Sequence, residues 1–476
     1  MKRILFVASE AMPFITTGGM GEVVGALPKT LVAESDHDVR VILPYYRAVK
    51  EKFGDSLEFV GSTQIQLSWR KQYCGIFKAV SNGVIYYFVD NEYYFDRESV
   101  YGEFDDGERF AFFGKAVLEA LPLIDFFPDI LHAHDWQAAL SVIYLRTHFG
   151  EDARYKTIKS IFTIHNIEYQ GRYSMDMAGD LFGFEGWHTQ IVEYDGGINL
   201  LKGAVECCDR LTTVSPTYAN ELHDDVVSRG LGPIIRRNAE KMCGILNGID
   251  TDVYNPSTDP FLHKNFTLKT ATVQRRKNKA EIQEFFGLPV RNDVVLIAMI
   301  TRLVRHKGLD LVTDALHGLL ESEKNVQMVV LGKGDYNYEH CLCNLSDAFP
   351  EQLRTYIGFD AGLAHRVYSG ADLFLMPSES EPCGLAQMIA AHYGAVPIIR
   401  QVGGLRDSIK DCFEKDGIGF TFYEYNPQVM SDNIRRAIRL YFDQPDAFKK
   451  VRNLGMQTDF TWARSAHSYL ELYNNL

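Results

Sequence analysis

The chain alternates short apolar runs with amphipathic stretches. Ile4–Ala8 is the first run, and Ser9-Glu10 ends it. A run of four to eight apolar residues closed by polar or turn residues reads as a strand buried on both faces. Further strands are read at 38–44, at the start of 129–140 and of 160–171, and at 294–300, 326–335, Leu373–Met376 and Ala395–Ile399. Between them lie helical patterns: 16–31 behind a glycine loop, a stretch opening at Asp105, the start and end of 198–222, and the end of 257–292. In the last third, Pro382 suits a first helical turn and Gly394 closes that helix. Residues 56–91 read as short alternating strands, and Tyr93–Glu108, aromatic and acidic, as a loop or lid. The stretch 243–256 reads as the crossing into a linker, and Thr461 as the cap of a terminal helix. Alternating strands and helices through both halves predict an α/β protein of two doubly wound, Rossmann-like domains. Ligands bind such sheets beyond the carboxyl ends of the strands. Two facing edges make an interdomain cleft, with closure as the expected way to exclude water.

The chemistry-bearing residues fall at those strand ends. Glu381 sits where a strand crosses into a helix, ahead of the amides of Cys383, Gly384 and Leu385. A helix start attracts anions, so the pattern suits a phosphate-bearing ligand; the alternative is an ordinary acidic first turn. Arg302 and Lys307 bracket another strand-to-helix loop and could neutralise a diphosphate, or be plain surface charges. Gly18, Gly19, Gly21 and Gly25 depart from the dinucleotide fingerprint but permit close backbone approach to a phosphate or sugar. His132 and His134 share a strand face beside Asp135, a metal cluster or a polar strand end. His165, taken alone, reads as structural, and Asp250-Thr251-Asp252 as a chance acidic pair or a metal motif.

Composition narrows the classes. The net charge of −13 argues against a general nucleic-acid binder. The eight cysteines form no CxxC pair, and Cys341 and Cys343 beside His340 lack the second pair a zinc site needs. Their scatter suits a reducing cytoplasm, and no run has signal-peptide or membrane-spanning character.

The string SESEPCGL, 378–385, followed by VGGL, 402–405, resembles the acidic motif of retaining nucleotide-sugar glucosyltransferases, and the chain is similar throughout to bacterial glycogen synthases and plant starch synthases. The resemblance implies two facing Rossmann-like domains (GT-B): 1–245 on the glucan side, 246–458 on the nucleotide-sugar side, and 459–476 as a helix crossing back. It implies that His165, in HNIEYQG, contacts the transferring glucose, with Arg302, Lys307 and Glu381 completing the catalytic set. Thr16, Gly18, Gly19, Asn247, Phe359, Cys383, Gly384, Leu385, Gly403 and Gly404 are implied for the donor. Glu10, Asp135, Trp136 and Asn166 are implied for the acceptor. The implied reaction carries glucose from ADP-glucose to the non-reducing end of an α-1,4-glucan with retention, without metal or other cofactor, in the cytoplasm. No nucleic-acid or membrane partner is expected, and oligomeric state stays open. Four positions depart from the family: Thr16 replaces a lysine, Glu22 an aspartate, Phe359 a tyrosine, and Val402 a threonine. The 223–237 loop departs as well. These changes favour a rival reading, a catalytically weak paralogue that binds glucan or sugar nucleotide. Other rivals are a different donor or a metal-dependent DxD enzyme.

Overall fold

The computed structural model describes residues 1–476. The chain divides into two compact units, 1–247 with 462–476, and 248–461.

The first unit is built on a nine-stranded sheet. Arg3–Val7 lies inside it, paired in parallel with Asp38–Pro44 on one side and Ile130–His134 on the other. Beyond Ile130–His134 follow Lys159–Ile164, Arg210–Thr213 and Met242–Gly244, all parallel. Beyond Asp38–Pro44 comes Val84–Asp90, and then the sheet turns antiparallel through Arg70–Ser81 and Glu58–Leu67. The region read as short alternating strands thus forms a long antiparallel margin. The central strands are buried along nearly their whole length because helices cover both faces, which is why they read as unbroken apolar runs. The terminal helix Trp462–Asn474 packs on this unit, with Lys2 Nζ donating to the Tyr473 carbonyl at 2.7 Å.

The second unit carries six parallel strands in the spatial order third, second, first, fourth, fifth, sixth. The first is Val295–Ile300 and the fourth Leu373–Met376. One face of this sheet forms a continuous apolar core with the helices Leu309–Ser322 and Pro427–Asp443. The helix Ala271–Phe286 is fastened differently. Its buried Arg275 donates to the carbonyls of Ser369 (2.9 Å), Tyr368 (3.3 Å), Ala371 and Tyr393. No helix of the protein is long and apolar enough to cross a membrane.

One expectation needs correction and another is narrowed. The helix expected to open at Pro382 begins at Ala386, because Gly384 takes a left-handed φ of +69° and breaks the turn. Of the loop or lid read at 93–108, the structure shows an anchored loop, with the helix read from Asp105 following it. The loop starts with a helical turn, Glu92–Phe95, and the helix that follows is Asp106–Ala120. The fully buried Arg109 donates to the carbonyls of Tyr94 at 2.7 Å and Val100 at 3.4 Å.

Replacing Arg275 by methionine leaves buried carbonyls without a donor. Urea denaturation is expected to show a loss of about 3 kcal/mol or more, by the usual cost of orphaned buried polar groups.

Candidate active site

Strand order reverses around one strand in each unit, and the crevice lies at the carboxyl ends of the two strands flanking the reversal. In the second unit these are Val295–Ile300 and Leu373–Met376. The first leads through Arg302 into a short turn ending at Lys307, and the second leads to Glu381. Lys307 Nζ donates to both carboxylate oxygens of Glu381, at 2.8 and 2.7 Å, and Ser378 Oγ donates to Glu381 Oε2 at 3.1 Å. Glu381 is 5% exposed, so its charge is neutralised by this pair rather than by water. Arg302 is exposed and has no side-chain partner. It is the cation of this crevice left free for an anionic ligand.

The loop bearing Glu381 is held by backbone. Gly403 has φ +42°, and a Cβ there would lie 1.9 Å from the Glu381 carbonyl oxygen. The Gly404 amide donates to the carbonyls of Glu381 and Pro382 at 3.1 and 3.2 Å. Gly404 therefore fastens this loop, a correction to its expected role as an amide donor to the ligand. Cys383 and Val402 are buried, while Gly384 and Leu385 form the partly exposed turn ahead of the helix. Phe359 stands just past the strand Leu353–Ile357 with 91% of its surface exposed, a ring face open for stacking.

In the first unit the reversal lies between Arg3–Val7 and Ile130–His134. Glu10, past the first strand, is buried and accepts from Tyr101 OH at 3.0 Å, from Thr17 Oγ1 at 3.1 Å and from the Thr17 amide. Burial raises its pKa despite these donors. Thr16 is exposed with its hydroxyl donating to the Gly18 carbonyl at 3.1 Å. Gly18 and Gly19 face open space, with no atom within 4 Å of an added Cβ. Past the second strand, Asp135 has φ +57° and its Oδ1 accepts from the amides of His165 (2.7 Å) and Asn166 (3.4 Å). Burial pushes the Asp135 carboxyl up to about 7. The register that pairs His134 with Thr163 sets His165 beside His134, and His134 Nδ1 lies 2.9 Å from His165 Nε2. Burial pushes His165 down to about 3, so its ring is neutral at ordinary pH.

Burial and local bonds define several further residues. Trp136 is 8% exposed, set edge-on to Phe110 and against Gly171, so it is core rather than an open acceptor platform. Asn247 is buried, with Oδ1 lacking a partner. His132 is enclosed by Thr163 (2.6 Å) and Tyr473 (2.8 Å). Asp250 Oδ1 accepts from the Asp252 amide at 3.0 Å within its own turn. In the 223–237 segment the carbonyls of Ser228 and Arg229 accept from Gln170 Nε2 at 3.3 and 3.5 Å, tying this departure from the family to the loop that follows His165. Tyr101 and Ser378 join these sites beyond the residues singled out from the sequence. The density of aromatics around Tyr101 is its only sequence signal, and Ser378 opens the string that carries Glu381.

The second unit contains the match to the family profile "Glycosyl transferases group 1", over residues 281–453, so the class is that of a glycosyltransferase. The profile "Starch synthase catalytic domain" matches residues 3–237. Glycogen synthases of Streptococcus pneumoniae, strains CGSP14 and 70585 among them, are 44% identical, covering 100% of this chain and 99% of theirs. The catalytic domain of starch synthase IV from Arabidopsis thaliana, bound to ADP and acarbose, superposes with a TM-score of 0.91 at 32% identity, covering 100% of this chain and 99% of that one. Sucrose-phosphate synthase from Thermosynechococcus elongatus shares the fold, with a TM-score of 0.61 at 15% identity over 100% of this chain and 99% of its own. The chain belongs to the glycogen and starch synthase family.

Two measurements test the site. Arg302→Ala is expected to leave the melting temperature unchanged and to lower transfer about 10²–10³-fold, whereas Lys307→Ala lowers both, because Glu381 is then buried unpaired. Asp135→Asn keeps an acceptor for the His165 amide and removes a carboxyl whose folded pKa lies above its unfolded one. The wild type therefore loses stability as pH rises from about 4 to about 7 through this group. Thermal melts are expected to show the variant gaining on the order of 1–2 kcal/mol over wild type at pH 7.5, with the gap closing toward pH 4.

Proposed function

We propose that this glycosyltransferase moves glucose from ADP-glucose to the non-reducing end of an α-1,4-glucan, with retention and without a metal. The observation that carries the reading is the exposed, unpaired Arg302 beside the Lys307–Glu381 pair. A nucleoside diphosphate leaving group gathers negative charge as the glycosidic bond breaks, and a guanidinium stabilises it with a fork of donors. Lys307 has three donors, two of them held by Glu381, which leaves one for a phosphate oxygen. These cations supply the charge that a metal would otherwise provide. Phe359 offers its ring to the base, and His165 its neutral imidazole to the sugar. The family members named above support the glucan acceptor, and the ADP-bound relative supports the donor. Eight free cysteines suit the reducing cytoplasm.

A second reading has one observation in its favour. Thr16 is an exposed hydroxyl turned onto its own loop, where the family carries a lysine. A binding paralogue with residual transfer would follow from that lost charge.

Initial rates of transfer onto glycogen, with ADP-glucose and UDP-glucose in parallel and a chelator present, decide between them. Rapid transfer from ADP-glucose that survives the chelator is expected. Absence of transfer from either donor with glucan binding intact, or a large gain in Thr16→Lys, would install the paralogue reading.

A further inference from the structure

We propose that His134 is a positioning residue that fixes the tautomer of His165, so that His165 presents Nδ1–H as a hydrogen-bond donor to an oxygen of the bound sugar. The proposal rests on the reading of His165 as a sugar contact. The two rings meet through His134 Nδ1 and His165 Nε2, 2.9 Å apart. Burial holds both imidazoles neutral, so each ring carries one proton and one of the two facing nitrogens must donate.

The decision lies on the far side of His134. Its Nε2 is enclosed and has no partner. The ring packs in one cluster with His132, at 4.3 Å between centroids, and Phe6, at 5.3 Å, these two being themselves 4.8 Å apart. If His165 donated to His134, the proton of His134 would sit on Nε2 as a buried, orphaned N–H. If His134 donates from Nδ1, its Nε2 is an orphaned acceptor. Buried orphan donors are the rarer defect in native proteins, so the second arrangement is favoured. His165 Nε2 then accepts, and its proton is confined to Nδ1, which has no protein partner and is not enclosed. The backbone of His165 is fixed from behind by Asp135 Oδ1. In this arrangement His165 orients an oxygen and is not a proton acceptor at the site.

The test is the ring-nitrogen spectrum of the full chain labelled with ¹⁵N-histidine near neutral pH, with His165→Gln used to assign the His165 signals. The expected result is a protonated Nδ1 and an unprotonated Nε2 on His165. A protonated Nε2 overturns the proposal. His134→Leu is expected to give mixed tautomers at His165 and about a tenfold lower kcat, the share of one hydrogen bond. His134→Asn, whose amide can donate from the same position, is expected to recover most of that rate. An unchanged single tautomer in His134→Leu removes His134 from the role. Failure of the wild type to transfer glucose would sink the proposed activity alone, since the spectrum reads the tautomer without turnover.

Discussion

In a doubly wound parallel sheet every connection crosses over, and the crossovers on either side of one strand leave in opposite directions. That constraint opens a crevice at the carboxyl ends of two neighbouring strands. In this protein it operates in each unit. Val295–Ile300 with Leu373–Met376, and Arg3–Val7 with Ile130–His134, deliver Arg302, Glu381, Glu10 and Asp135 to the carboxyl ends of the strands that flank the reversals. The unusual electrostatics follow from position. The carboxylates and imidazoles at these places are buried, so each needs a partner or must become neutral.

The two crevices resolve that demand in opposite ways. The second unit pairs charge with charge, Lys307 on Glu381, and leaves one guanidinium unspoken for. The first unit suppresses charge: His132 and His165 are pushed down to about 3, and the Asp135 carboxyl is pushed up to about 7. A phosphate-bearing group belongs with the first kind of surface and a polyhydroxylic one with the second. Neutral imidazoles, and a carboxyl whose ionisation burial opposes, bind hydroxyl groups while attracting few counter-ions.

Sequence was informative wherever the physics is local. Strands buried on both faces, such as Val295–Ile300, announce themselves as apolar runs, and the cations and Glu381 stand where those runs stop. It failed wherever a distant residue decides. Pro382 looked like a helix start, yet Gly384 and Gly403 keep the chain in a loop because the backbone at 403 closes on the carbonyl of 381. Trp136, implied for the acceptor, is instead packed against Gly171 and Phe110. Tyr101 reaches Glu10 across 91 positions, and no periodicity carries that information.

The terminal helix has a consequence for how the protein is made. Lys2 is bonded to Tyr473, and the Tyr473 hydroxyl reaches His132 inside the first unit. The first unit is therefore completed by residues 462–476, which follow the whole second unit along the chain. Its opening strands are made long before that helix, so a chain interrupted between 248 and 461 lacks the cover that Tyr473 brings to His132.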